Sequence, residues 1–130
     1  MATQAAHQKT SESIVLIVAT GHYETLERTL LTNGYTVVAP ATSDQAVAVC
    51  LHNRIDAVLI DEEMLAEVED WSLPRSFKAV SPSTPVLLLA KDPGAHTDLP
   101  PGVDCVVSAS DSTQVLKALQ DCAAQTVRNR

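Results

Sequence analysis

Five short apolar runs constrain the fold of this chain more than any other feature of its sequence. Each spans four to six residues. Together they lack the regular polar alternation of strands that have one face in water. Continuous apolar runs of this length are typical of strands covered on both faces of a sheet. The runs are Ile14–Val18, Tyr35–Ala39, Ala57–Ile60, Val86–Ala90 and Val103–Ser108.

Segments with a helical spacing of apolar residues separate most of these runs. Leu26, Leu30 and Leu31 recur on one helical face in the first such segment. Ser43 or Asp44 is expected to cap the second. Strands that alternate with helices imply a parallel sheet with right-handed crossovers and helices on both faces. The predicted helices are about 23–33, 43–53, 71–80 and 112–126.

The segment Lys91–Gly102, between the fourth and fifth runs, is rich in residues that interrupt helices. It contains Pro93, Gly94, Pro100 and Pro101. Proline removes a backbone donor and fixes φ, and glycine adds backbone freedom. We therefore expect this segment to be mostly irregular, with one helical turn at most.

Length, charge and cysteine content exclude several classes of protein. A chain of 130 residues is one domain, predicted at 13–125, between a disordered leader (1–12) and a flexible tail (126–130). The net charge of −7 argues against binding to nucleic acid, and no apolar stretch approaches the 18 residues of a membrane span. Cys50, Cys105 and Cys122 have no disulfide or zinc spacing, which favours buried thiols in a reducing cytoplasm.

Asp61 is the first candidate for a functional residue. It follows the third apolar run directly, so the sequence places a carboxylate at the carboxyl end of a buried strand. Open α/β sheets bind their ligands at that edge. The sequence therefore predicts that any site lies around Asp61.

Four segments carry a resemblance to a known family. The chain resembles the response-regulator receiver domains, the CheY-like family, over about Ser13–Ala124. The resemblance implies a flavodoxin-like three-layer fold with strand order 2-1-3-4-5. The helix that the family places between its fourth and fifth strands is predicted to be shortened or missing here, because the prolines and the glycine of Lys91–Gly102 interrupt it. The resemblance also implies phosphoryl transfer from a histidine kinase to Asp61. The segments are Asn33–Val38, Asp56–Asp61 with Met64, Thr84–Leu89 and Gly102–Asp104.

The metal site of the family does not carry over to this sequence. The resemblance places an acidic pair near Val18–Gly21, where it would hold Mg²⁺. No Asp or Glu occurs between Ser13 and Glu24. Mg²⁺ gives up its hydration shell reluctantly and needs oxygen ligands, so we expect no cofactor and weak Mg²⁺ binding at best.

Three further positions of the family also differ here. The hydroxyl after the fourth strand falls on Ala90, and the lysine after the fifth strand falls on Ala109. The aromatic position on the fifth strand falls on Val106. Each lost charge partner costs roughly 3–4 kcal/mol in a transition state, so phosphoryl transfer should be very slow.

The sequence supports three hypotheses about function. The first is a degenerate receiver-like domain, not an enzyme, that signals by binding a protein. The second is a working phosphoacceptor receiver that uses Asp61. The third is a small-molecule binder at the crevice around the strand ends, although Gly21 is the only glycine in the first loop.

Two surfaces are candidates for the binding of a partner. Trp71 follows the acidic stretch 62–70, and Trp is enriched at interface hot spots, although a lone Trp is more often part of a core. A missing fourth helix would also expose apolar surface near Leu99, Val103 and Val106. Either surface would serve a histidine kinase, another signalling protein or a second copy of the chain.

Overall fold

The computed structural model describes residues 13–19, 23–63, 72–95 and 99–128. The predicted leader lies outside these residues. None of the described helices is both long enough and apolar enough to cross a membrane. The elements are β1 (Ser13–Val18), α1 (Glu24–Thr32), β2 (Tyr35–Val38), α2 (Ser43–His52), β3 (Ala57–Asp61), α3 (Ser72–Val80), β4 (Val86–Ala90), β5 (Cys105–Ser108) and α4 (Ser112–Arg128).

The five strands form one parallel sheet in the order β2-β1-β3-β4-β5, which confirms the predicted topology. The central strands β3 and β4 are buried at every position. Their side chains meet helices on both faces of the sheet, which explains why their sequences show no polar alternation.

Two apolar clusters lie on opposite faces of the sheet. Successive strand residues point to opposite sides, so Leu16 and Val18 join one cluster while Val15 and Ile17 join the other. The first cluster includes Ala46 and Cys50 of α2 and Phe77 of α3. The second includes Leu26 and Leu30 of α1 and Val115 and Leu119 of α4.

Two helix starts show which residues act as caps. The Gln45 amide donates to the Thr42 hydroxyl at 3.1 Å, so Thr42 caps α2 and the prediction of Ser43 or Asp44 as the cap is wrong. An N-cap side chain reaches the amide three residues on, and Thr42 has that spacing. The Gln114 amide donates to Asp111 Oδ1 at 3.1 Å, so Asp111 caps α4. This helix runs to Arg128, so 126–128 of the predicted tail are helical.

The connection between β4 and β5 has little regular structure, as predicted. In its described parts, 91–95 and 99–104, one 3₁₀ turn is present at Pro93–Ala95. Gly102 has φ of 82°. A Cβ atom there would lie 2.9 Å from the Arg75 nitrogen and the Pro74 carbonyl carbon. The connection therefore packs directly on the first turn of α3.

This close packing corrects one prediction about exposed surface. Val103 is only 6% exposed and belongs to the core cluster that contains Phe77 and Val86. The expectation of exposed apolar surface at Val103 is wrong, because the irregular connection itself packs Val103 into the core.

Candidate functional site

Asp61 is the last residue of β3 and pairs with Leu89 of β4. The neighbouring strands β1 and β4 end beside it, so the loops that follow all three strands meet here. The Asp61 residue is only 6% exposed. A carboxylate with so little contact with water needs hydrogen-bond donors from the protein.

One backbone donor serves the Asp61 carboxylate, and a tyrosine hydroxyl lies beside it. The Glu63 amide donates to Asp61 Oδ1 at 3.0 Å, which is the local turn that Asp side chains often form with the residue two positions on. The Tyr23 hydroxyl lies close enough to the same carboxylate for its pKa to respond to Asp61.

The surroundings of Tyr23 keep its hydroxyl protonated. Burial raises its pKa above the usual value, and the Asp61 charge, the hydrogen bond to Asp61 and the Glu63 charge raise it further. Tyr23 precedes α1 directly, and its ring packs against the cluster that contains Leu26. The residue is therefore fixed by apolar packing while its polar end faces Asp61.

Lys91 brings a positive charge to the same edge of the sheet. It follows β4 directly, and its Nζ lies 2.9 Å from Glu63 Oε2. Its backbone amide donates to Glu62 Oε1 at 3.3 Å. The hydrogen bond with Glu63 is the main cause of a raised Lys91 pKa, and the charges of Glu63, Asp61 and Glu62 add to it.

Alanines occupy the two positions where the family has a hydroxyl and a lysine. Ala90 is fully buried, and the Ala109 amide donates to the Ala90 carbonyl at 2.8 Å. The ends of β4 and β5 are thus held together by backbone alone. Neither side chain has a polar atom to offer a phosphoryl group.

A crevice of about 420 Å³ lies between the start of α1 and the connection from β5 to α4. It is at the strand edge where the small-molecule hypothesis requires a pocket. Its lining residues are Tyr23, Glu24, Thr25, Leu26, Ala109, Ser110 and Ser112.

The structure separates the residues that the sequence grouped as a partner surface. Leu99 is 57% exposed, whereas Val106 is partly buried against the same cluster as Val103. Trp71 lies outside the described residues. Their roles in binding stay predictions, and Val103 is removed from the exposed set.

Sequence reasoning missed Tyr23 and Lys91 as site residues. The sequence analysis used Tyr23 only as the start of a predicted helix and Lys91 only as the start of the irregular segment. The signal was available for Lys91, because it directly follows a strand that neighbours β3. Tyr23 is several residues past β1, so only the folded loop brings it to Asp61.

Comparisons with known proteins give matches among solved structures. No protein-family model and no curated protein matches the chain. A CheY-like response regulator receiver domain protein from Methanospirillum hungatei has a TM-score of 0.72 and 16% identity, covering 92% of this chain and 99% of its own. A response regulator receiver domain from Clostridium thermocellum has a TM-score of 0.74 and 15% identity, covering 91% and 99%.

A third structure includes a bound metal. The receiver domain of a sensor histidine kinase from Pseudomonas aeruginosa, with a magnesium ion coordinated in its active-site cleft, has a TM-score of 0.69. It is 23% identical and covers 85% of this chain and 96% of its own. Identities this low establish a shared architecture and not a shared activity. The chain has the flavodoxin-like fold of the CheY-like receiver domains.

Proposed function

We propose that this chain is a cytoplasmic signalling domain that acts by binding a protein, with little or no phosphoryl transfer. The observation that carries the proposal is the state of Asp61. Its carboxylate accepts a hydrogen bond from the Glu63 amide and lies beside the Tyr23 hydroxyl, while Ala90 and Ala109 offer nothing to a phosphoryl group. The residue at the phosphoacceptor position is thus engaged within the protein, and the groups that would assist its chemistry are missing.

The absence of metal ligands in the sequence supports the same proposal. No acid lies between Ile14 and Tyr23. In the part of the chain that the structure describes, no three His, Cys, Asp or Glu side chains cluster closely enough to hold a metal ion. A phosphoryl group in transfer carries spread negative charge that needs a cation, so Asp61 alone should react very slowly.

The proposed partner is a histidine kinase or another signalling protein, and a second copy of the chain would be an alternative. The solved structures of this fold include a domain of a sensor histidine kinase, which supports a role in signalling. Exposed Leu99 and the predicted anchor Trp71 are the residues that we would test first.

Lys91 is the observation that favours the alternative function, a phosphoacceptor that uses Asp61. Its ammonium group pairs with Glu63, beside Asp61, and it follows the strand next to β3. If the pair with Glu63 opened, Lys91 would supply a positive charge that the family takes from the position of Ala109.

Treatment with acetyl phosphate and Mg²⁺ separates the two functions. Intact mass spectrometry should show no phosphoryl adduct on the wild-type protein and none on Asp61→Asn. Beryllofluoride should likewise leave the amide chemical shifts around Asp61 unchanged. An adduct on the wild type that is lost in Asp61→Asn would establish the phosphoacceptor function and reject our proposal.

Calorimetry with Mg²⁺ tests the metal part of the proposal by itself. We expect no binding heat at millimolar Mg²⁺, because the sequence supplies too few oxygen ligands. Tight binding that Asp61→Asn abolishes would contradict this expectation.

A further inference from the structure

Four residues form a continuous line of polar contacts across the loops that follow β1, β3 and β4. The Glu63 amide donates to Asp61 at 3.0 Å, and the Tyr23 hydroxyl lies beside the same carboxylate while its ring packs on the core. The Glu63 carboxylate in turn pairs with the Lys91 ammonium at 2.9 Å. We refer to these four residues together as the latch: Tyr23, Asp61, Glu63 and Lys91.

Glu62 connects the loops after β3 and β4 through backbone groups. The Glu62 amide donates to the Leu89 carbonyl at 2.9 Å, which continues the β3–β4 ladder one residue past Asp61. The Glu62 carboxylate accepts from the Lys91 amide at 3.3 Å. Glu62 thus binds the main chain of Lys91, and Glu63 binds its side chain.

We propose that the latch acts as a lock: its polar contacts hold the three loops together without a metal ion or a phosphoryl group. In this role Asp61 is a positioning residue, since its carboxylate joins the loop after β1 to the loop after β3. The proposal rests on the proposed function, because a phosphorylated Asp61 would lose these contacts. It goes further by assigning one coupled role to residues from three separate loops.

The polar contacts of Asp61 make the lock testable by choice of substitution. Asparagine keeps a side-chain carbonyl oxygen that accepts from the Glu63 amide, and either polar atom of its amide can pair with the Tyr23 hydroxyl, which both donates and accepts. Alanine keeps neither contact. The lock therefore predicts that Asp61→Asn preserves the loops and Asp61→Ala loosens them.

The ion pair at the far end of the latch is exposed, with 77% of the Lys91 side chain and 51% of the Glu63 side chain in contact with solvent. Exposed pairs contribute little to global stability. Loss of one contact of the latch should therefore appear as local opening of the loops. Each lost contact should speed amide exchange roughly two- to fivefold.

Amide hydrogen exchange by NMR is the experiment, read at Glu62, Glu63 and Lys91. Tyr23→Phe should speed exchange at Lys91, and Lys91→Gln should speed exchange at Glu63 and shift the Tyr23 ring signals. Coupling between two sites is reciprocal, so both directions must be seen. Asp61→Ala should have the largest effect, and Asp61→Asn should resemble the wild type.

The chain supplies matched controls for both substitutions. Tyr35→Phe removes the hydroxyl of the second tyrosine, which lies on β2. Lys117→Gln removes another exposed ion pair, whose Nζ lies 3.9 Å from Asp121 on α4. Neither control should change exchange at the latch amides.

Two results would overturn the lock. One is that either direction fails, so that Tyr23→Phe leaves Lys91 exchange unchanged or Lys91→Gln leaves Glu63 exchange unchanged. The other is that Asp61→Ala and Asp61→Asn behave alike. Lys91→Gln alters an exposed side chain and should fold even if Tyr23→Phe does not. Labelling by acetyl phosphate is read separately, so loss of the lock is not confused with loss of the proposed function.

Discussion

At the scale of single residues, the site depends on what surrounds Asp61 more than on Asp61 itself. The carboxylate lies at the end of β3, accepts a hydrogen bond from the Glu63 amide and lies beside the Tyr23 hydroxyl. The adjacent strand ends at Ala90, which is fully buried and apolar. These surroundings support the proposed role, in which Asp61 takes part in little or no phosphoryl transfer.

The first prediction at this scale compares two substitutions. Asp61→Asn should change cellular output little, because it keeps the shape and the acceptor oxygen. Trp71→Ala should reduce output more, because loss of an aromatic anchor typically costs about 2 kcal/mol or more of binding energy. Both variants are measured side by side in one assay of output. If Asp61→Asn silences the protein while Trp71→Ala does not, the chain is a working receiver.

The second residue-scale prediction concerns alkaline pH. The Tyr23 pKa is raised by burial, by the charge of Asp61, by the hydrogen bond to it and by the charge of Glu63. The folded state therefore keeps a proton that the unfolded state releases above about pH 10. The stability contributed by this hydroxyl is present below pH 10 and is lost as pH rises further.

Urea denaturation of the wild type and Tyr23→Phe at pH 8 and at about pH 11 checks this sign. The wild type should lose more unfolding free energy than Tyr23→Phe between the two pH values. The Tyr35 pKa is also raised, mainly by burial, so Tyr35→Phe serves as the comparison. Equal losses in the wild type and Tyr23→Phe would show that Tyr23 ionises normally.

At the scale of elements, the connection between β4 and β5 replaces a helix by close packing. Gly102 lies against the backbone of Pro74 and Arg75, and Val103 enters the core directly after it. This contact positions the first turn of α3. Part of this connection is thus built into the core, while Leu99 in the same connection is 57% exposed.

Gly102→Ala should destabilise the protein strongly, for two reasons. Its φ of 82° is unfavourable for a residue with Cβ, which costs about 1–2 kcal/mol. The added Cβ would also lie 2.9 Å from backbone atoms of α3, and such overpacking typically costs about 1–3 kcal/mol more.

Two other glycines separate these causes in the same urea measurement. Gly34 has φ of 91° and open space around it, so Gly34→Ala measures the φ effect alone. Gly94 has no unfavourable φ and would meet only the Asp92 side chain at 3.4 Å, so Gly94→Ala should cost little. Equal losses of unfolding free energy in Gly102→Ala and Gly34→Ala would show that the backbone of α3 moves away from the added Cβ at no cost.

At the scale of the whole molecule, one sheet supports two cores. Leu59 and Ile60 are adjacent in β3 and fully buried, yet they belong to opposite clusters. Because every central strand contributes to both clusters, neither core can unfold without the other. We therefore expect one cooperative unfolding transition.

Leu59→Ala and Ile60→Ala test this shared dependence. Each should lower the unfolding free energy by about 2–5 kcal/mol, as large-to-small changes in buried positions do. Circular dichroism and Trp71 fluorescence should report the same midpoint in each variant. Leu51→Ala, at a position 57% exposed, is the control and should have little effect. Separate transitions for the two faces would contradict the expectation.

The sequence by itself determined the fold class and the place of the site. Strands buried on both faces need continuous apolar residues, and amphipathic helices need a 3.6-residue spacing, so both leave a local pattern. The irregular segment before β5 and the position of Asp61 at a strand end followed from such patterns. The absence of Asp and Glu between Ser13 and Glu24 and the presence of Ala90 and Ala109 were also visible in the sequence.

Only the tertiary structure decided which side chains meet. Tyr23 lies beside Asp61 and Lys91 pairs with Glu63 from other loops, and no periodic pattern records contacts between residues so distant in the chain. Val103 is buried because the connection before β5 folds against α3, which depends on how two loops share space. Local sequence specifies the elements, whereas the packing of elements against one another fixes the surroundings, and therefore the chemistry, of Asp61.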